Sequence, residues 1–272
     1  MSADASPIQP PSGPLSFSII TPSLNSAATL PETLESVRRQ AIGAVEHLVI
    51  DGGSTDGTLD ILRAAEGVRW ISEPDRGLSR AMNKGIAMAR NDVVGWLNAD
   101  DVYLDGALQR VASALAADER TLWATGRCRI TGADGQEVRS PISAYKDFLL
   151  RRWSFSLFLT QNFVSAPATF VRRSAFELVG DFDERFRYSM DYDLWLRLGR
   201  QSTPVVIDSE LACFRMAEGS LSMTGFERQF AEHLQNAREH GAGHRLPVAV
   251  NALTSKGIVA SYRAMRALRA RR

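Results

Sequence analysis

Val93-Val94-Gly95-Trp96-Leu97-Asn98-Ala99-Asp100-Asp101 is the stretch on which the reading of this chain turns. A continuous apolar run with β-branched members predicts a strand buried in a parallel sheet, with the acidic pair where the strand stops. Open α/β sheets bind their ligands at that edge. Two adjacent carboxylates with an amide just upstream offer only oxygen ligands, which suit Mg²⁺ or Mn²⁺ rather than zinc. A metal at a strand end suggests a phosphate ligand. Taken alone, Asp100 and Asp101 read more readily as caps of the helix that starts nearby.

Three strand-turn-helix units precede this strand. Phe17-Ser18-Ile19-Ile20 predicts a strand ended by Thr21-Pro22-Ser23-Leu24-Asn25, and Pro31 with Glu32 opens a helix with apolar positions at Leu34, Val37 and Ile42. Glu46 to Ile50 predicts the second strand, Asp51-Gly52-Gly53-Ser54-Thr55-Asp56-Gly57 a turn, and Thr58 to Ala65 a helix. The third unit has its strand at Val68 to Ser72, a loop at Glu73-Pro74-Asp75-Arg76-Gly77 and a helix from Leu78 to Ala89. Four such alternations imply a parallel, doubly wound sheet with its loops on one edge. The glycine-rich turn is neither a dinucleotide fingerprint nor a P-loop. Asp51 at its start can accept hydrogen bonds from a base or a ribose, or it can stabilise the turn.

Beyond a helix at Asp105 to Ala117 the pattern changes. Leu122 to Ile130 alternates as half-buried antiparallel strands do, and Gly132-Ala133-Asp134-Gly135 reads as a hairpin turn, so the sheet becomes mixed. Tyr145 to Phe158 carries aromatics with Lys146, Arg151 and Arg152, and reads as core or as a segment over a cleft, with core favoured for Trp153, Phe155 and Phe158. Pro167 to Val171 predicts a strand and Ser174 to Val179 a short helix. A further helix includes Asp191-Tyr192-Asp193-Leu194-Trp195-Leu196-Arg197-Leu198. Its first-turn acids are favourable at a helix N-terminus in any case. A carboxylate held rigidly at a cleft mouth can also act as a base.

Composition sets bounds. The chain has 272 residues, 44% of them hydrophobic, enough for one large domain with an appendage. Cys128 and Cys213 fit no metal spacing and read as core residues of a reduced protein. No apolar run approaches the roughly 20 residues that cross a bilayer, and no signal-peptide pattern opens the chain, so a cytoplasmic location is expected. Net charge is +1, yet the segment from Arg245 onward holds seven basic residues and no acidic one, which leaves residues 1–244 at −6. Residues 1–15, with Pro7, Pro10, Pro11 and Pro14, read as a disordered leader.

Together these segments resemble the family 2 glycosyltransferases of GT-A fold. The resemblance runs from about Ser16 to Ser222, about three quarters of the chain. It rests on Ser18 to Asn25, Val49 to Thr58, Ala81-Met82-Asn83-Lys84-Gly85-Ile86, Trp96 to Asp101 and Asp191 to Leu198, in that order and spacing. It implies an α/β fold with a doubly wound mixed sheet. A Rossmann-like nucleotide-sugar half (16–104) would be followed by an acceptor half (105–222) and a helical basic extension (223–272). It further implies that Thr21 and Pro22 line the nucleotide pocket, that Asp51 recognises the base, and that Asp75 with the loop to Arg76 borders the same pocket. Asn98-Ala99-Asp100 takes the family's Asp-x-Asp position, making Asp100 the ligand of a divalent cation, Mn²⁺ or Mg²⁺, with Asp101 beside it. Asp191 falls at the catalytic base. The reaction implied is inverting transfer of one sugar from a nucleoside-diphosphate sugar to a hydroxyl of a glycan or lipid-linked glycan of the cell envelope.

Three positions depart from the family pattern. Asn98 replaces an acid, Met190 stands where many relatives carry a second acid, and Ala217 falls about where many have a histidine, so the metal shell is expected to be thin, with Glu218 a poor stand-in. No Gln-x-x-Arg-Trp motif follows the base, which disfavours a processive synthase. Rival readings are a non-catalytic nucleotide-sugar-binding protein and a sugar nucleotidyltransferase, the latter lacking its glycine-rich signature after the first strand. Thr224 to Glu239 predicts a helix. In the tail beyond it Ile258, Tyr262, Met265 and Leu268 share one helical side opposite Lys256, Arg263 and Arg266, a pattern that suits an anionic membrane surface or a solvated helix. No aromatic-basic platform points to nucleic acid.

Overall fold

The computed structural model describes residues 13–75, 77–132, 135–138, 141–216 and 225–269, with only the backbone described at 262 and 264–269. Most of the expected leader, together with Arg76, Ala133, Asp134, Ala217 and Glu218, lies outside the described residues. So do the side chains of Tyr262, Met265, Arg266 and Leu268.

The four expected alternations are present: β1 (Phe17–Ser23), α1 (Leu30–Arg38), β2 (Val45–Asp51), α2 (Thr58–Ala64), β3 (Val68–Ser72), α3 (Leu78–Met88) and β4 (Val93–Trp96). Strands β1 to β4 are mutually parallel where they pair, which brings Ser23, Asp51 and Ser72 side by side at one edge. Then follow β5 (Val102–Tyr103), α4 (Ala107–Ala116), β6 (Trp123–Thr131), α5 (Pro141–Leu150), α6 (Phe155–Phe158), β7 (Thr169–Arg172), α7 (Ala175–Val179), α8 (Met190–Gln201) and β8 (Val205–Arg215). Helices α9 (Phe226–His240) and α10 (Arg245–Arg269) close the described chain. One mixed sheet results, in the order β3-β2-β1-β4-β7-β6-β8-β5.

Two strands went unread in the sequence, β5 and β8. The first is only two residues long, and in the second Asp208, Ser209 and Glu210 interrupt the apolar pattern where the β6–β8 register shifts. The expected alternation in β6 is also absent at its start, because Trp123 to Gly126 are buried on both faces. Of the aromatics after Tyr145, Phe158 is fully buried, Trp153 and Phe155 pack half-buried on the core, and Tyr145 and Phe148 are exposed.

Close packing explains two glycines. A Cβ on Gly85 would clash with the Ile20 side chain, so α3 lies directly on β1. A Cβ on Gly95 would meet Phe170 at 2.8 Å, within the β4–β7 pair.

The main core is a column of indoles. Trp195 of α8 stacks on Trp96 of β4 at 5.1 Å and 19° and on Trp123 of β6 at 5.6 Å and 4°, and Trp153 meets Trp123 edge-on at 6.1 Å. Trp195 is fully buried although its Nε1 has no hydrogen-bond partner among the described residues. Ring burial therefore outweighs an unsatisfied N–H here. Trp195→Ala is expected to cost about 3–5 kcal/mol in urea unfolding, as truncation of a buried aromatic does.

His47 of β2 is buried and shares a 2.8 Å hydrogen bond with the Thr21 hydroxyl. Burial pushes its pKa down to about 4, so the ring is neutral in the folded protein. The unfolded chain binds the proton near pH 6.5. The stability from keeping His47 neutral is therefore complete above that pH and is lost as pH falls from 6.5 towards 4, by up to about 3 kcal/mol. His47→Gln should flatten that part of the stability–pH curve measured by denaturant titration.

Candidate active site

The strand that opens the sequence reading ends at a cleft of about 380 Å³. Trp96, Asn98 and Asp100 line it from the β4 end, Leu78 and Met82 from α3, and Met190 and Asp191 from the first turn of α8. Three predicted site residues, Asn98, Asp100 and Asp191, thus share one space although the last is 91 residues from Asp100. A larger cavity of about 650 Å³ lies between α1 and α2 and holds none of the predicted residues.

The two adjacent acids have different fates. Asp100 is half-buried and faces the cleft; burial raises its pKa, with Arg215 opposing. Asp101 points inward and is fully buried. Its oxygens accept hydrogen bonds from the Arg215 backbone N–H at 3.0 Å and from Asn98 Nδ2 at 2.9 Å, and its own carbonyl accepts from the Thr33 hydroxyl. Burial, together with the Asp100 charge, pushes its pKa up to about 8. This accounts for Asn98: an acid there would set a second carboxylate against Asp101, whereas the amide donates to it.

The first turn of α8 brings another carboxylate to the same cleft. Asp191 accepts from the Tyr192 backbone N–H at 2.8 Å and from Asn162 Nδ2 at 3.3 Å. Burial raises its pKa despite these bonds and the charge of Lys146. The segment before it is fixed from α9, where the Glu232 carboxylate accepts from Tyr188 N at 2.7 Å, Ser189 N at 3.0 Å and the Ser189 hydroxyl. Asn236 adds two bonds to Ser189. Asn83 of α3 clamps both backbone groups of Phe182 in the loop leading there. Asp193, two residues on, is committed to Arg197 and His240, each at 2.7 Å, and takes no part in the cleft.

The remaining predicted residues lie along the edge formed by the first three strands. Thr21 is buried against His47 and Pro22 is half-buried opposite Ile50. Asp51 is fully buried, and its Oδ2 accepts from Gly53 N, Ser54 N and the Ser72 hydroxyl, while Oδ1 accepts from the Ser54 hydroxyl. Burial alone would raise its pKa, but these bonds outweigh that and hold it below the usual range. Asp75 pairs with Lys84 at 2.7 Å through one oxygen, and the other, buried, has no partner among the described residues. The Ser23 hydroxyl, opposite Asp51 in the register, is likewise buried and unpartnered.

Sequence reasoning passed over Ser23, Lys146, Asn162, Glu232 and Asn236. The sequence reading places Ser23 in the turn after the first strand, whereas β1 runs on through it to the ligand edge. The others become neighbours of the site only through packing between distant elements.

Among the described residues no group of three or more His, Cys, Asp or Glu side chains could hold a metal. Asp100 and the Asn98 amide supply only two ligand side chains. That suits a Mg²⁺ or Mn²⁺ ion that also takes phosphate and water oxygens, and does not suit an ion held by protein alone. Among the described residues no helix is long and apolar enough to cross a membrane.

Residues 18–180 match the family described as glycosyl transferase family 2. The chain is 32% identical over 233 residues to a PGL/p-HBAD biosynthesis glycosyltransferase of Mycobacterium bovis, covering 80% of this chain and 83% of the relative. It is 34% identical over 203 residues to an uncharacterized glycosyltransferase of Mycobacterium tuberculosis, covering 72% of this chain and 74% of the relative. Among solved structures, the mannosyltransferase PcManGT from Pyrobaculum calidifontis, in complex with GDP-Man and Mn²⁺, superposes with a TM-score of 0.65 at 16% identity, covering 93% of this chain and 81% of that one. S. aureus TarS 1-349 in complex with UDP-GlcNAc gives 0.62 at 17% identity, covering 83% of this chain and 66% of that one, so this chain spans just under two thirds of the TarS fragment. The strand-end acids, the sheet that presents them and the family match over more than half of the sequence lead to one conclusion: the chain belongs to glycosyl transferase family 2 and has the GT-A fold.

Proposed function

We propose that this glycosyltransferase moves one sugar per turnover from a nucleoside-diphosphate sugar to an acceptor hydroxyl, with inversion at the anomeric carbon. The observation that carries the reading is the single cleft lined by Asn98 and Asp100 from the end of β4 and by Asp191 from the first turn of α8. Thr21, Pro22, Asp51 and Asp75 form the edge that takes the nucleoside. Asp51 retains one acceptor position on Oδ1 for a base N–H, and the unpartnered Ser23 hydroxyl and Asp75 Oδ2 are free to meet base or ribose. Asp101 acts from behind by orienting Asn98.

In the transfer, the acceptor oxygen forms its bond to the anomeric carbon as the bond from that carbon to the diphosphate oxygen breaks. Asp191 takes the acceptor proton, and the nucleoside diphosphate leaves with the electron pair. A carboxylate whose pKa burial has raised is a better base than an exposed one. Asn162 holds one of its oxygens, and the backbone N–H of Tyr192 the other. A divalent cation, Mn²⁺ or Mg²⁺, bound by Asp100 with the Asn98 amide would offset charge on the departing diphosphate.

Solved neighbours hold both UDP-GlcNAc and GDP-Man, which supports a nucleotide-sugar donor and leaves its base open. The mycobacterial relatives named for PGL/p-HBAD biosynthesis support a glycan or lipid-linked glycan acceptor of the cell envelope. We place the chain in the cytoplasm, peripheral to the inner face of the membrane, and the acid-free basic sequence from Arg245 onward supports that placement.

Two experiments test this reading. Calorimetry with UDP, GDP, ADP and dTDP should find one nucleotide class bound more tightly with Mn²⁺, and Asp100→Ala should remove the metal-dependent part. Binding of none of them with or without metal would overturn the proposal. In turnover assays with a matched donor and acceptor, Asp191→Asn should lower kcat by about 10²–10⁴-fold with little change in nucleotide Kd. The wild-type kcat/KM should rise with pH through a midpoint above the usual carboxylate value of about 4, because the base must be ionised, and Asp191→Asn should lack that limb. Retained turnover with an unchanged pH profile in Asp191→Asn would remove it from the role of base.

A further inference from the structure

Helix α5 carries both buried and exposed apolar residues. Leu149 and Leu150 are buried in the core that holds the indole column. Ile142, Tyr145 and Phe148 stand in solvent, 63%, 52% and 48% exposed. Tyr145, Phe148 and, just past the helix end, Arg152 fall within about a sixth of the helical circumference at roughly 100° per residue, and Ile142 stands exposed in the first turn on the line that Leu149 continues into the core. The Arg152 guanidinium lies 3.9 Å over the Phe148 ring and makes no ion pair among the described residues. Lys146, on the same helix, is close enough to Asp191 for the two charges to act on each other. The helix therefore joins an apolar outer stripe to the base-bearing wall of the cleft.

We propose that the outer face of α5 docks on the head-group region of an anionic lipid bilayer and so sets the Asp191 wall of the cleft at the membrane surface. Tyrosine and phenylalanine beside isoleucine suit the boundary between head groups and acyl chains, and an unpaired arginine suits the lipid phosphates. A second copy of the chain fits the face poorly. Three half-exposed side chains supply on the order of 300 Å², against roughly 800 Å² per partner in a stable interface. Symmetric pairing would also bring the Arg152 charges together. One short element binds a bilayer weakly, and stable attachment takes two signals. Helix α10 supplies the second, with Leu246 and Leu253 75% and 70% exposed in a sequence that is basic and free of acids from Arg245 onward. Only the consequence for the cleft rests on the transferase reading, since docking is measured without turnover.

The test is co-sedimentation of the full chain with vesicles of phosphatidylcholine alone and of phosphatidylcholine mixed with phosphatidylglycerol. The wild type should pellet with the anionic vesicles. Ile142→Ser with Phe148→Ser, both at exposed positions, should lower the partition coefficient about tenfold, and Arg152→Glu should lower it as well. Circular dichroism and nucleotide calorimetry on the same samples should be unchanged. Equal pelleting of the serine variant and the wild type, or wild type that stays in the supernatant, would overturn the proposal. A wild-type dimer in light scattering that the serine variant dissolves, without vesicle binding, would assign the face to a second copy and overturn it too. Absence of nucleotide binding in the wild type would remove the transferase reading while the vesicle result stood by itself.

Discussion

The stack of Trp96, Trp195 and Trp123 is the constraint on which the site depends. It joins the strand that delivers Asn98 and Asp100 to the helix that delivers Asp191, and ties both to the strand behind them. Indoles at 5.1 and 5.6 Å with nearly parallel rings leave little freedom for one wall to slide on the other. The cleft is thus the gap left beside a packed column, and its width is a property of the core.

Polar contacts then orient what the column positions. Asp101 gathers the Arg215 backbone, the Asn98 amide and the Thr33 hydroxyl around the end of β4, so this fully buried acid works by holding its neighbours. Glu232 and Asn236 do the same for the turn before Asp191, reaching across from α9. Buried polar groups of this kind are tolerable because each is met by hydrogen-bond partners. One acid of the pair Asp100-Asp101 is satisfied by the protein and the other is left to the cleft, where a substrate-borne ligand can meet it.

This division was only half visible beforehand. The run Val93 to Leu97 and the three units before it show their periodicity locally, so the parallel half of the sheet and its ligand edge could be read directly. Strand β8 could not, because its polar centre is accommodated by a register shift against β6 that no local pattern announces. The position of α5, with leucines inward and aromatics outward, was similarly hidden, since apolar residues occur on both of its sides.

By itself the sequence determined the alternation of strands and helices, the placing of Asn98, Asp100 and Asp191 at element ends, and through its motifs the family. Those features depend on residue type and short-range spacing. Only the tertiary structure decided that Asp100 faces the cleft while Asp101 turns into the core, that Asp51 takes three donors on one oxygen and one on the other while Ser23 and Asp75 keep unpartnered oxygens, and that α9 braces the base. Each of those outcomes depends on a donor, or the lack of one, brought from elsewhere in the chain, as Arg215 is brought to Asp101 from 114 residues away, and local sequence carries no record of such a neighbour.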